Sequence, residues 1–203
     1  MPTTLTAPPQ EAAPIDPPRK LWTRTECDLL DQAGVIDQQR LELVEGELIN
    51  KMGKKRPHVN ALGLMMGWLN KVFGDRFILQ EAPIDVFPED NPTNEPEPDA
   101  VVLKRPFPEF LKANPKPQDL NLVIEVADSS LYFDLTKKAE LYARAEIEEY
   151  WVLDVSERRR LFVHREPRDG KYQSVKEYTA QESVSPLSAP DAQFLVGSAF
   201  AGE

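Results

Sequence analysis

The sequence predicts an α/β (α+β) domain, with one mixed central β-sheet flanked by helices and additional β-hairpins at its margins. Three observations predict it. Residues 122–126 and 149–155 are near-continuous apolar runs of strand length, the composition of strands buried on both faces. Residues 57–73 and 134–146 carry apolar side chains at helical spacing. Glu45-Gly46 and Asp169-Gly170 each separate two short strand-like stretches, as the turns of hairpins do.

In chain order, residues 1–19 contain six prolines and no periodic apolar pattern, which predicts a disordered tail ahead of a domain spanning residues 20–203. Thr23 or Thr25 can cap a short helix that Gly34 stops after Ala33. "LELVEGELIN" reads as a hairpin turning at Glu45-Gly46, and the basic loop "KMGKKRP" follows it. The helix over 57–73 places Leu62, Met65, Met66 and Leu69 on one face, and Gly74 ends it. "RFILQEAPIDVF" reads as a strand broken at Pro83, "PEDNPTNEPEP" as a loop, "DAVVL" as a short strand, and residues 104–119 as irregular chain. The strand "LNLVIEVA", a helix over 134–146, the strand "EYWVLDV" and a hairpin about Asp169-Gly170 complete the domain. One sheet covered by helices is the simplest packing of this order.

The chain has 203 residues, enough for one sizeable core. With 24 basic and 34 acidic side chains its net charge is −10, which argues against nonspecific coating of nucleic acid while leaving one local groove open to it. No apolar run is long enough to span a membrane, and the N-terminus lacks a basic-then-apolar leader. The single cysteine, Cys27, suits a reducing compartment, so a cytoplasmic location is expected.

The chemistry centres on Glu125. Strand alternation puts Val123 and Glu125 on one face and Leu122, Ile124 and Val126 on the other, so a carboxylate lies inside a buried strand, which is costly unless it is paired or holds a metal. Asp99 opens the neighbouring strand after Pro98. Two acids on adjacent strands suit a hard cation such as Mg²⁺, which takes oxygen ligands and keeps several waters. The structural alternative is that Asp99 caps a turn and Glu125 meets a cationic side chain. At about 100° per residue, Leu135, Ala139, Tyr142 and Ala145 form one apolar helix face, with Lys138 in its middle and Lys137 turned away. A lysine on a core-facing stripe needs an anion nearby. Asp134, four residues earlier, would supply one in a plain helical ion pair, whereas convergence of Lys138 with Glu125 would suit metal-assisted phosphodiester hydrolysis.

"LELVEGEL", "PEPDAVVL", "LVIEVADSS" and "DLTKKAELYARAEIEEYWVLDV", in this order, resemble the Uma-two family of endonucleases within the PD-(D/E)XK nuclease superfamily, over residues 20 to 200. The resemblance implies a restriction-endonuclease-like core of helix, three strands, helix and strand. It matches Pro98-Asp99 to the "PD" and Glu125 to the acid. The superfamily lysine two residues after that acid is replaced by Ala127, and Lys138 matches the lysine this family carries in the following helix. Glu42 matches the acid of the family's E-L-x-x-G motif as a further metal or water ligand, and His58 matches a histidine placed to meet phosphate or water. Where the family has glycine-proline before "EYW", this chain has Glu146-Ile147-Glu148, which implies altered turn geometry.

The resulting expectation is an endonuclease that uses Mg²⁺ or Mn²⁺ and acts on DNA. Asp99 and Glu125 hold the metal, Lys138 orients water or steadies the phosphate, and Lys51, Lys54, Lys55 and Arg56 are available to grip the backbone. Arg158, Arg159 and Arg160 read as surface. Cutting both strands would call for paired sites, hence a homodimer. The alternative is a nuclease-fold module with little turnover that binds nucleic acid or a protein.

Overall fold

A computed structural model describes residues 18–51 and 55–200. The predicted tail lies outside the described residues apart from Pro18 and Arg19, as does Lys54 of the basic loop.

Helix α1 (Arg24–Gln32) starts at Thr23, which forms a capping box with Glu26: Thr23 Oγ1 accepts the Glu26 N–H while Glu26 accepts the Thr23 N–H at 3.0 Å. Strands β1 (Leu41–Val44) and β2 (Glu47–Asn50) pair antiparallel. Their turn residues Glu45 and Gly46 both have positive φ, as a two-residue type I′ turn requires. A Cβ on Gly46 would lie 2.7 Å from Leu21, so this turn needs glycine for space as well as conformation. The long helix α2 (Arg56–Phe73) has Pro57 in its first turn and Gly74, at φ 85, as its stop. Its buried face includes Leu62, Met65 and Leu69, with Met66 only partly covered.

The central sheet has six strands in the order β3-β4-β5-β6-β7-β8: Ile78–Gln80, Ala100–Leu103, Leu120–Ala127, Glu149–Asp154, Arg160–Arg168 and Lys171–Thr179. Only β5 and β6 run parallel, so the chain between them must cross over the sheet. It does so through α3 (Leu131–Phe133), a π-helical turn over Asp134–Lys138, and α4 (Ala139–Arg144). The sequence α2-β3-β4-β5-α3/α4-β6 is the helix, three strands, helix, strand order expected of the core, extended by the β7–β8 hairpin. A short pair, β9 (Ser183–Val184) and β10 (Phe194–Leu195), has no counterpart in the sequence pattern.

Two expectations need correction. The strand expected to break at Pro83 stops earlier, at Gln80; Glu81 adopts a left-handed conformation (φ 50), and residues 81–94 are loop with one short 3-10 turn. The crossover helix begins at Leu131, three residues before the expected start, and ends at Arg144. Its π turn is invisible to a count that assumes one uniform period.

Each sheet face has its own core. Leu122, Ile124, Val126 and Trp151 pack with α2. Val123, Tyr150 and Val152 pack with Ala139, Leu141 and Tyr142 of α4. Alternation along β5 puts Glu125 on this second face, as predicted.

Candidate functional site

Extending the β4–β5 register by one residue from Ala100↔Ile124 places Asp99 across from Glu125. Two hydrogen bonds fix the Asp99 carboxylate: Val126 N–H donates to Oδ2 at 2.8 Å, and His58 Nε2 lies 3.1 Å from Oδ1. His58 comes from the first turn of α2, so its place beside the acid follows from how that helix starts on Pro57.

Glu125 is 4 % exposed. Its Oε1 accepts from Lys138 Nζ at 2.7 Å and from Tyr142 OH at 3.2 Å. Lys138 ends the π turn, buried, while Lys137 is exposed, in keeping with the helical count that separates the two lysines. The ammonium also lies 2.9 Å from Glu42 Oε1, which β1 carries in from the separate hairpin. The plain helical alternative is not what forms: Asp134 accepts from Ser130 Oγ at 2.7 Å while Lys138 spans Glu42 and Glu125.

Sequence reasoning misses three participants. Helical spacing marks Tyr142 only as apolar face, yet its hydroxyl reaches Glu125. The same spacing offers Asp134 only as a helical partner, yet it is buried beside the cluster. Glu97 sits in a loop with no strand or helix period to flag it; its N–H donates to Glu42 at 2.8 Å and its carboxylate pairs with Lys51. In the basic loop, Lys55 pairs with Asp128 and Lys51 with Glu97.

Among the described residues, Glu42, Asp99, Glu125 and Asp134 are buried around the Lys138 ammonium. Burial pushes the Glu125 carboxyl well above the usual carboxylate range; Lys138 opposes this, and Asp134, Asp99 and Glu42 add to it. Burial pushes Asp134 up to about 6, against the opposing pull of Lys138 and Ser130. Burial by itself would lower Lys138, but Glu125, Glu42 and Asp134 outweigh it and hold the ammonium well above its ordinary value. All these groups except Tyr142 line a cavity of about 900 Å³ that also takes in His58, Lys51 and Lys55.

A divalent cation fits this donor set within limits. Among the described residues no three His, Cys, Asp or Glu side chains are arranged to hold a metal. Two oxygen donors opposed across β4 and β5 suit a hard ion that keeps most of its water. No described helix is long and apolar enough to cross a membrane.

At the crossover's end, Glu146 has φ 57, a left-handed conformation that glycine adopts without strain. Ile147 N–H bonds back to Tyr142 O at 3.1 Å, so Glu146-Ile147-Glu148 closes the helix without glycine or proline.

No curated protein matches this chain. Among solved structures, a protein from Anabaena variabilis ATCC 29413 described as "a putative nuclease belonging to DUF820" matches with a TM-score of 0.64 and 17 % identity, covering 85 % of this chain and 97 % of that one. At that identity the likeness shows the fold. The family model named Uma2 and described as "Putative restriction endonuclease" matches residues 28–197, and the chain belongs to that family.

Proposed function

We propose that this protein is a divalent-metal-dependent endonuclease that hydrolyses phosphodiester bonds in DNA. The observation that carries the reading is Glu125: a carboxylate inside a central strand, with Asp99 across from it and Lys138 2.7 Å away, facing a cavity that Glu42 and Asp134 also line. Asp99 and Glu125 would hold Mg²⁺ or Mn²⁺; when bound, such an ion draws charge from a phosphate and acidifies a water. The chain's own groups do the positioning. His58 and the Val126 N–H fix the Asp99 carboxylate, and Tyr142 fixes Glu125. Lys138, kept protonated in the cavity, has N–H bonds to offer a phosphate oxygen or the attacking water, where a fixed charge in a partly dry site is most effective. A double-strand cut would be made by a symmetric dimer.

The test uses purified protein, Mn²⁺ or Mg²⁺, and end-labelled single-stranded and duplex DNA. Metal-dependent cleavage is expected, together with calorimetric Mn²⁺ binding that Asp99→Asn and Glu125→Gln each weaken at least tenfold. Mn²⁺ binding unchanged in both variants would refute the metal assignment. DNA that is bound but never cut would favour the module with little turnover.

A further inference from the structure

The hairpin β1–β2 is a separate sheet, yet it is fastened beside the site at several points. Glu95 N–H donates to Leu43 O at 2.7 Å, Gly46 N–H to Thr93 O at 2.8 Å, and Glu45 N–H to the side chain of the buried Asn94 at 2.7 Å. Arg144 of α4 pairs with Glu45 of the turn. The hairpin's contribution to the buried charge cluster is one carboxylate, Glu42, 7 % exposed.

Glu42 uses a single oxygen twice. Its Oε1 accepts the Glu97 N–H at 2.8 Å and lies 2.9 Å from Lys138 Nζ. Glu97 is in turn held through its own carboxylate by Lys51, the residue after β2. The Glu42 oxygen that meets the lysine is therefore fixed from the backbone side. Glu125 is placed differently. Its Oε1 accepts from Lys138 and Tyr142, and among the described residues Oε2 makes no hydrogen bond. A cation arriving at Asp99 and Glu125 would repel an ammonium that leans on Glu125. Asp134 attracts the ammonium from beyond direct contact, and among the described residues Glu42 is the other carboxylate that touches it.

We propose that Glu42 is a positioning residue for Lys138: it holds the ammonium at the site when Glu125 turns to a divalent cation, and it is not itself a ligand of that cation. This rests on the reading of Asp99 and Glu125 as the cation-binding pair. The anchoring of Glu42 by a backbone N–H and the two carboxylate contacts of Lys138 carry the inference. The hairpin thereby supplies, from outside the main sheet, the second anion that one lysine needs.

The experiment compares Glu42→Gln and Glu42→Ala with the unmodified chain in three measurements. Calorimetry with MnCl₂ should give a Kd within about twofold of the unmodified protein for both variants. Labelling of Lys138 by an amine-acylating reagent, read by mass spectrometry, should stay slow in the unmodified chain with and without Mn²⁺. In Glu42→Ala it should rise at least tenfold when Mn²⁺ is added, while labelling of Lys137 is unchanged. Where cleavage is observed, kcat should fall about 10- to 100-fold with KM nearly constant, Glu42→Gln being the milder because its amide oxygen can still accept both bonds. A tenfold or greater loss of Mn²⁺ affinity in both variants would make Glu42 a metal ligand and overturn the proposal. So would Mn²⁺-independent labelling in Glu42→Ala. If the unmodified protein cuts no DNA, the nuclease reading fails by itself, and the labelling and calorimetry still decide the role of Glu42.

Discussion

Two buried glutamates in adjacent strands of this sheet show opposite uses of a charge. Glu149 opens β6 on the α2 face, 0 % exposed. Its Oε1 accepts from Trp151 Nε1 at 2.9 Å and from Arg165 Nε at 2.8 Å, and its Oε2 accepts the Leu187 N–H at 2.7 Å. Arg165 also donates to Ser185 O at 2.6 Å. Charge and hydrogen bonds close on themselves, and this carboxylate ties β6 and β7 to the C-terminal loop. Glu125 lies on the opposite face, with one ammonium shared between it and Glu42, two more acids close by, and a cavity in front. Burial of a charge is common to both places. What distinguishes the candidate site is open space: Glu42, Glu125 and Asp134 line a cavity, and Glu149 does not.

The comparison breaks most visibly at Arg165. Arg165→Met leaves Glu149 buried without its cation and should cost about 3–5 kcal/mol of unfolding free energy, read by urea denaturation. Mn²⁺ affinity should be unchanged in the same variant. A loss below about 1 kcal/mol would mean that Glu149 does not tie these strands together.

At the other glutamate the effect should fall on chemistry. Lys138→Met keeps the apolar stem and removes the ammonium, so metal-dependent cleavage should drop about 10²–10³-fold in kcat, the scale for one preorganised charged donor. Lys137→Ala, on the exposed neighbour, should keep most of the activity. Full cleavage by a folded Lys138→Met protein would refute the catalytic role, and equal losses in the two variants would leave only a general attraction of phosphate.

Acidification should sharpen the contrast. Asp134 titrates at about 6 in the fold against an ordinary value of 3.8. The folded state therefore binds this proton more tightly than the unfolded chain does. Its ionisation disfavours the fold above pH 6, and that cost is relieved as the pH falls from about 6 towards 4. By linkage the relief is about 2–3 kcal/mol. His164 works in the other direction. Burial lowers it to about 4 from 6.5, so it stays neutral in the fold and stability drains away as the unfolded chain takes up protons between pH 6.5 and 4. Measured without divalent ions, Asp134→Asn should make the unmodified protein's stability profile fall more steeply on acidification, and His164→Phe should flatten it. Unchanged slopes in both variants would show that burial shifts neither group.

The smallest effect is expected from the N-terminal tail. Removing residues 1–19 should move Tm by less than about 1 °C, because they carry no periodic apolar pattern to pack on the domain, and an exposed pair such as Arg19 with Glu47, at 3.5 Å, is worth little. A large drop would put the domain boundary elsewhere.

Much of this is legible in the chain. Continuous apolar runs mark β5 and β6, since a strand covered on both faces has no polar side to show. Glu45-Gly46 and Asp169-Gly170 mark their hairpins, because two successive positive φ angles leave few residue choices. Alternation alone puts Glu125 on the face opposite Ile124, and helical spacing separates Lys138 from Lys137. Ordered motifs carry the family. These are properties of a few consecutive residues, and short-range geometry determines them. Tertiary structure decided the rest. A hairpin outside the main sheet brings the Glu42 carboxylate to Lys138, and no local period encodes that meeting. The π turn, the hydroxyl of Tyr142 and the loop N–H of Glu97 entered the site for the same reason. Hydrogen-bond partners far apart in sequence are chosen by packing, and packing depends on all the elements at once.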